Sequence, residues 1–467
     1  LAAEGTETTE EERSIAQLAS TSLPPAFASF IPLAFCGTLP YPAGRAIQET
    51  TKMPNQATRY RVKLFDMVLG LSRALDLLHP AIGDHHMRVA YIACCLAEEL
   101  GLPDEDVQTV LIAGALHDVG TVSSSSRLHL LGEALRNYHI DEATLLENIH
   151  AHGFVGRGML REFLPFDAAA RAICFHHVEW NFGRGQEFTG EEVPLLSAIL
   201  HLADRVAILP DPAGYVLAQA RDIRERVALD SGKRFHPEVA AAFQTVSGKE
   251  SFWLDIVNKH KEFTIHRRFG HSELELDLEA LIKLSGIFGK IVDFFTPFTA
   301  THSLSVALVS EGLGAHLGFS VEQAKLLRIA GHLHDIGKLA VPPAILHKPD
   351  KLTPEELLVV KQHPYYTHQI LSTVPGLETV NTWAALHHER LDGRGYPYQH
   401  TDVPLGSRIV AVADIFAAIT EERPYRKGME QARAIAVLDQ MACENAIDGD
   451  VVAILRGNYD EIRHLVR

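Results

Sequence analysis

Histidine and aspartate recur in this chain in one order, twice. His85, His117, Asp118, His152, His176, His177 and Asp204 are followed by His302, His334, Asp335, His363, His387, His388 and Asp414. Neutral imidazoles and carboxylates are the donors that borderline first-row divalent metals accept. An Asp carboxylate has two oxygens with which to bridge a pair of ions. Two ions sharing a bridging hydroxide provide a nucleophile near neutral pH and stabilise charge on an attacked phosphoryl group. A single His-Asp pair is weak evidence, because a lone buried histidine is more often a hydrogen-bonded core residue. The argument rests on the whole set, six or seven donors drawn from several elements in each half.

The elements that must carry these donors repeat as well, as an internal duplication requires. His85 and His302 stand 217 positions apart, as do His117-Asp118 and His334-Asp335. His152 and His363, and His176-His177 and His387-His388, are offset by 211, and Asp204 and Asp414 by 210, which loop-sized deletions explain. Val89, Ile92, Leu96 and Leu100 match Val306, Val309, Leu313 and Leu317 at the first offset, and their 3, 4, 4 spacing is one face of a helix. Helical patterns precede His117 and His334, and Gly120 and Gly337 are expected to stop those helices. GKRFHPEVAAAF (residues 232–243) resembles AIDGDVVAIL (446–455), so each unit runs past its last ligand by some forty residues. Alternating strand patterns are scarce. The expectation is an all-α chain of two tandem helical bundle domains, 57–265 and 266–467, behind an unassigned N-terminal extension, 1–56.

Bulk properties narrow the function. Among 467 residues, 46% are hydrophobic, ample for more than one core. A formal charge of −16 repels DNA and RNA, so a phosphate substrate must be met by metals or a few local cations. The five cysteines form no CxxC pair, which fits a reducing cytoplasm. The apolar stretch 23–39 is broken by Pro24, Pro25 and Pro32, and no membrane span or signal peptide is read there.

The second unit resembles the HD-GYP family, a branch of the HD superfamily of metal-dependent phosphohydrolases. The residues that carry the likeness are HLHDIGK (332–338), KQHP (361–364), HHERLDGRGYP (387–397), VADIFAAIT (412–420) and ERPYRK (422–427). The resemblance covers about 170 residues and implies a cyclic dinucleotide phosphodiesterase, acting on cyclic di-GMP or a related molecule. The implied metal ligands are His302, His334, Asp335, His363, His387, His388 and Asp414, with Asp335 as the bridge. Lys338 would contact a substrate phosphate, Arg423 and Arg426 would hold the second phosphate or a base, and Tyr396 would shape the pocket or a partner-binding surface. Some relatives recruit a third metal through a glutamate four residues before the first histidine. Phe298 stands at that position, so the resemblance implies two ions, iron or manganese ahead of nickel or zinc.

The first unit keeps the ligand types and resembles a general HD domain instead. Thr121 stands where the second unit has Lys338, HHVEWNFGRG replaces HHERLDGRGYP, and PDPAGY replaces ERPYR. Without those cations a cyclic dinucleotide fits it less well. It is read as a second metal site on a regulatory or dimerising module, or as a hydrolase for another phosphoester. His86 and His150 rival His85 and His152 as ligands, and the repeat register favours His85 and His152. His129, His139 and His201 are taken as surface or packing residues. For the whole chain the alternatives are an HD hydrolase of another nucleotide or alarmone and a non-catalytic cyclic-dinucleotide sensor. A homodimer through the helix near residues 273–295 is expected.

Overall fold

The computed structural model describes residues 60–77, 84–121, 150–270, 274–296, 301–422 and 427–466. These form one compact, predominantly helical unit. The first half contributes α1 (Leu64–Asp76), α2 (His85–Glu99), α3 (Asp104–Leu116), α4 (Ala151–Leu160), α5 (Asp167–Cys174) and α6 (Leu195–Ala207). Four helices follow: α7 (Val216–Leu229), α8 (Pro237–Val246), α9 (Glu250–Val257) and α10 (Lys261–Phe269). The second half begins with α11 (Leu278–Phe295), α12 (His302–His316), α13 (Val321–Leu333), α14 (Pro343–Leu346), α15 (Pro354–Val360) and α16 (His363–Leu371). It ends with α17 (Glu378–Ala385), α18 (Leu405–Thr420), α19 (Gln431–Cys443), α20 (Gly449–Gly457) and α21 (Tyr459–His464). The strands described are two residues long. Val62–Lys63 pairs antiparallel with Glu275–Leu276, and Glu187–Phe188 with Glu191–Glu192.

The repeated apolar positions are the core. Val89, Ile92 and Leu96 of α2 are fully buried, as are Val306, Val309 and Leu313 of α12. Each of these helices packs along the one that follows it, α2 on α3 and α12 on α13, and each is covered by the late helix foreseen from the sequence, α8 or α20. Polar caps fix the starts of several helices. Asp277 accepts from the Ala280 amide at 2.9 Å to begin α11, and Ser320 with Gln323 forms a capping box for α13.

The two halves back one another. Helix α1 packs on α2 and α3 of its own half and also reaches α16, where Val374 lies against Gly70. Its counterpart α11 packs on α12 and α13 and reaches α4. The side chain of Lys290 on α11 pairs with Glu162 just beyond α4. In each case the first helix of one half supports the helix that carries the third histidine of the other.

The boundary expected at 265/266 falls inside α10, which packs on α2. Helix α11, near which a homodimer is expected, buries Leu281, Leu284, Ile287, Phe288 and Ile291 within the chain. Gly120 and Gly337 do not have the positive φ of a left-handed helix stop. A Cβ on Gly337 would stand 2.0 Å from the His363 carbonyl oxygen, and one on Gly120 2.1 Å from that of His152. Glycine is required because the next ligand-bearing helix presses against the turn. Among the described residues no helix is long and apolar enough to cross a membrane, and Cys94, Cys95, Cys174 and Cys443 are free thiols.

Replacing Gly337 by Ala should therefore push α16 off the His-Asp turn. The expected cost is about 1–3 kcal/mol of stability, the usual price of overpacking, with loss of metal from the second half. Urea melts and metal content of G337A check it; an unchanged midpoint would refute the packing argument.

Candidate metal centres

The fourteen donors foreseen from the sequence collect into two matching clusters, and helix ends put them there. His302 and His363 open α12 and α16, His334 and Asp335 follow the last turn of α13, His387 and His388 follow α17, and Asp414 projects from the middle of α18. The last turn of a helix leaves carbonyls without partners, and the imidazoles use them. His334 donates from Nδ1 to Gly331 O at 2.8 Å, His387 to Ala384 O at 2.6 Å, and His363 to Val360 O at 2.8 Å. The first half repeats this with His117 to Gly114 O at 3.0 Å and His176 to Ile173 O at 2.6 Å. A proton fixed on Nδ1 leaves the Nε2 lone pair facing inward, which is how a metal-binding histidine is prepared.

Between the imidazoles lies one carboxylate per cluster. Asp335 Oδ2 is 3.1 Å from His334 Nε2, while Oδ1 is 3.3 Å from His363 Nε2. Asp118 divides its oxygens the same way, Oδ2 at 3.0 Å from His117 Nε2 and Oδ1 at 3.4 Å from His152 Nε2. Asp414 Oδ1 stands 3.0 Å from His302 Nε2 and 3.9 Å from His334 Nε2; Asp204 Oδ1 stands 3.3 Å from His85 Nε2 and 3.8 Å from His117 Nε2. The donors fall into ion-sized groups: His302, His334 and Asp335 form one, His363, His387 and His388 another, and His334, His387 and Asp414 a third between them. His85, His117 and Asp118, and His152, His176 and His177, do the same in the first half. His334 Nε2 and Asp335 Oδ1 are buried without a hydrogen-bond partner. Lone pairs turned inward and left unsatisfied fit a pair of cations, since burying them otherwise costs about 1–3 kcal/mol each.

Charges in the cluster follow from burial and mutual contact. Burial and the neighbouring His388 and His334 rings push His387 well below the usual histidine value, and burial takes His363 down to about 3 and His388 to about 4. These three present free lone pairs at neutral pH. His302 goes the other way: burial opposes its charge, but hydrogen bonds to Asp414 and Glu421 outweigh it and lift the ring to about 10. Asp335 is held well below the ordinary carboxylate range, because His334 and Lys338 overcome its burial.

Glu421 was not foreseen. Its Oε2 lies 3.2 Å from His302 Nδ1, and it orients that ring as the carbonyls orient the others. Its signal in the sequence was its spacing, seven residues beyond Asp414, which returns a side chain to the same helix face. Lys338 pairs with Asp335 Oδ2 at the rim of the cluster. Tyr396 stacks on His388, with ring centroids 4.7 Å apart and 29° between planes, and Lys361 lies over its outer face. The loop that carries Tyr396 is tied back by Glu389, which accepts from the Tyr398 and His400 amides at 2.8 and 2.9 Å. Gly395 has no room for a side chain, since a Cβ would come within 2.4 Å of the Arg390 nitrogen. Arg423, Arg426 and Phe298 lie outside the described residues, as do His129 and His139.

In the first half His85 and His152 join the cluster, as the repeat register required. His150 instead packs on Phe188, with ring centroids 4.7 Å apart, and His201 is buried with Nδ1 3.0 Å from the His176 carbonyl oxygen. The cations missing at the motif positions come from elsewhere. Arg205, beside Asp204, donates to His177 Nδ1 at 3.0 Å, and a cavity of about 400 Å³ is lined by His177, Arg184, Arg205 and Arg234.

With this geometry in view, the comparisons define the class. HD domain models match residues 82–209 and 278–451. Such a duplicated His/Asp bundle is a metal-dependent phosphohydrolase. The chain is 31% identical to the 3'3'-cGAMP-specific phosphodiesterase 1 of Vibrio cholerae, over 87% of this chain and 94% of that protein. A crystal structure of the cyclic GMP-AMP specific phosphodiesterase V-cGAP3 of V. cholerae superposes with a TM-score of 0.59 at 26% identity, covering 86% of this chain and 98% of that one. The cyclic di-GMP phosphodiesterase response regulator RpfG of Xanthomonas campestris is 41% identical, over 26% of this chain and 33% of its own length. The chain belongs to the HD-GYP type of tandem HD-domain proteins.

Substituting Glu421 by Gln removes the carboxylate that orients His302 while preserving its volume. Loss of such a partner typically lowers metal affinity by about 10–100-fold. A chelator competition on E421Q against the parent chain measures it, and equal affinities would show that Glu421 does not support the centre.

Proposed function

We propose that the second half hydrolyses one phosphodiester of a cyclic dinucleotide, with 3'3'-cGAMP preferred over cyclic di-GMP. The observation that carries the reaction is the division of Asp335 between two imidazole clusters, which is the donor arrangement a two-metal hydrolase needs. The preference rests on the relatives: those above that match across both halves are named for cGAMP, whereas the cyclic di-GMP enzyme matches about a quarter of the chain.

His302, His334, Asp335 and Asp414 would hold one ion and Asp335, His363, His387 and His388 the other, iron or manganese by family likeness. When bound, the pair would supply an activated water and the positive charge that stabilises the negative charge a phosphoryl group gains in the transition state. The rest is done by the chain. The Nδ1 protons on backbone carbonyls keep the imidazoles aimed and deprotonated toward the centre. Lys338, already drawn to the rim by Asp335, is placed to pair with a phosphate oxygen when substrate arrives. Tyr396 closes the cluster beside His388, and Lys361 over its outer face adds a cation near the site. Water attacks phosphorus and gives up a proton, the bond to the departing sugar oxygen breaks, that oxygen takes up a proton to become a hydroxyl, and the ring opens to a linear dinucleotide.

Two substitutions separate binding of metal from binding of substrate. Asp335→Ala should lose metal and turnover together in plasma mass spectrometry and a chromatographic assay with both cyclic dinucleotides. Lys338→Ala should keep its metal and lose about 10–100-fold in turnover efficiency, the value of a hydrogen bond to a charged group. A chain that binds both dinucleotides but turns over neither with its metals in place would be a sensor, and the proposal would fall.

A further inference from the structure

The two clusters differ at one residue beside the first ligand. Asp76 and Asp293 occupy corresponding positions, 217 residues apart, at or near the end of α1 and α11. Each accepts the backbone amide of the second residue of the next helix: His86 N to Asp76 Oδ1 at 3.2 Å, and Ser303 N to Asp293 Oδ2 at 3.0 Å. In the second half Asp293 also takes the Ser303 hydroxyl at 2.7 Å. In the first half the serine is replaced by His86, and Asp76 Oδ1 lies 2.5 Å from its Nδ1.

That bond turns Nε2 of His86 into the cluster. Nε2 is buried, has no hydrogen-bond partner, and lies 4.0 Å from Asp118 Oδ2, the oxygen that also faces His117 Nε2 at 3.0 Å and His85 Nε2 at 3.9 Å. His86 itself is 6% exposed, so water cannot readily satisfy the lone pair. Meanwhile His85 has lost what His302 has. His302 Nδ1 meets Glu421, whereas His85 Nδ1 is buried without a partner. The carboxylate that orients an imidazole has moved from the first histidine of the pair to the second.

We propose that His86, oriented by Asp76, is an additional metal ligand of the first half, joining His85, His117, Asp118 and Asp204 around one ion. The inference rests on the reading that the first half binds metal at all. A third imidazole in place of a hydroxyl makes this position richer in nitrogen than its counterpart, favouring zinc, nickel or ferrous iron over manganese.

The test uses the full chain carrying His334→Ala and Asp335→Ala, which empties the second centre so that bound metal reports on the first. After chelation, zinc is returned, bound metal is counted by plasma mass spectrometry, and affinity is measured by chelator competition. His86→Ser, which copies the second half, and Asp76→Asn, which keeps the imidazole and removes its orienting charge, should each weaken zinc binding by about 10–100-fold. Circular dichroism of the metal-free variants shows whether either loss is only unfolding, and D76N carries the test if H86S unfolds. Asp118→Ala should remove the zinc altogether. Zinc unaffected by D118A would sink the underlying reading of a metal site. Zinc lost in D118A but held at full affinity by folded H86S and D76N would overturn the role of His86 alone.

Discussion

The structure turns on one buried carboxylate whose two oxygens must face different imidazoles. Asp335 sits in a site from which water is largely excluded, and an isolated charge there would be costly. His334 on one side, His363 on the other and Lys338 at the rim compensate it. For this to work, the end of α13 and the start of α16 must meet within a few ångströms. Gly337 permits that approach, and Thr367 locks it, accepting from the Gly337 amide at 3.1 Å and donating to the His334 carbonyl at 2.9 Å. The α-helical bundle is the frame that brings these two helix ends together.

That frame is shared between the halves. Because α1 supports α16 and α11 supports α4, each centre is braced by the helix that begins the other half. The antiparallel pairing of residues 62–63 with 275–276 ties the starts of those two helices side by side. Duplication has therefore produced a reciprocal scaffold, in which a shift of either opening helix is felt at the third histidine of the opposite centre.

The His/Asp clusters were legible because metal chemistry restricts candidate donors to few residue types and the duplication printed them twice at near-constant offsets. The helices that carry α2 and α12 were legible for a similar reason, since Val306, Val309 and Leu313 must fall on one face to be buried. What escaped notice depends on contacts between distant segments. Glu421 lies 119 positions from His302, and Asp76 reaches His86 only because the chain folds back between α1 and α2. The reason for Gly337 lies in a carbonyl of another helix. Arg205 was passed over because it does not stand where the second half places its cations. At 265/266 α10 continues through the expected boundary and covers the first half, and no break in composition marks the place where packing changes sides.

Hydrogen bonds at the helix ends let the two clusters differ while their donors stay in place. Three of the imidazoles in the second half, His334, His363 and His387, hydrogen-bond to a carbonyl three residues earlier in their own chain segment. Such a bond needs no side-chain partner, so it persists wherever the helix end persists, as His117 and His176 show. His302 and His85 are placed otherwise: Nδ1 of His302 faces Glu421, and Nδ1 of His85 is buried without a hydrogen-bond partner. It is there that the halves differ: a carboxylate from another element, Glu421, meets His302, whereas in the first half the carboxylate, Asp76, meets His86 beside His85. The backbone holds the cluster together, and the side chains around its first histidine are free to change.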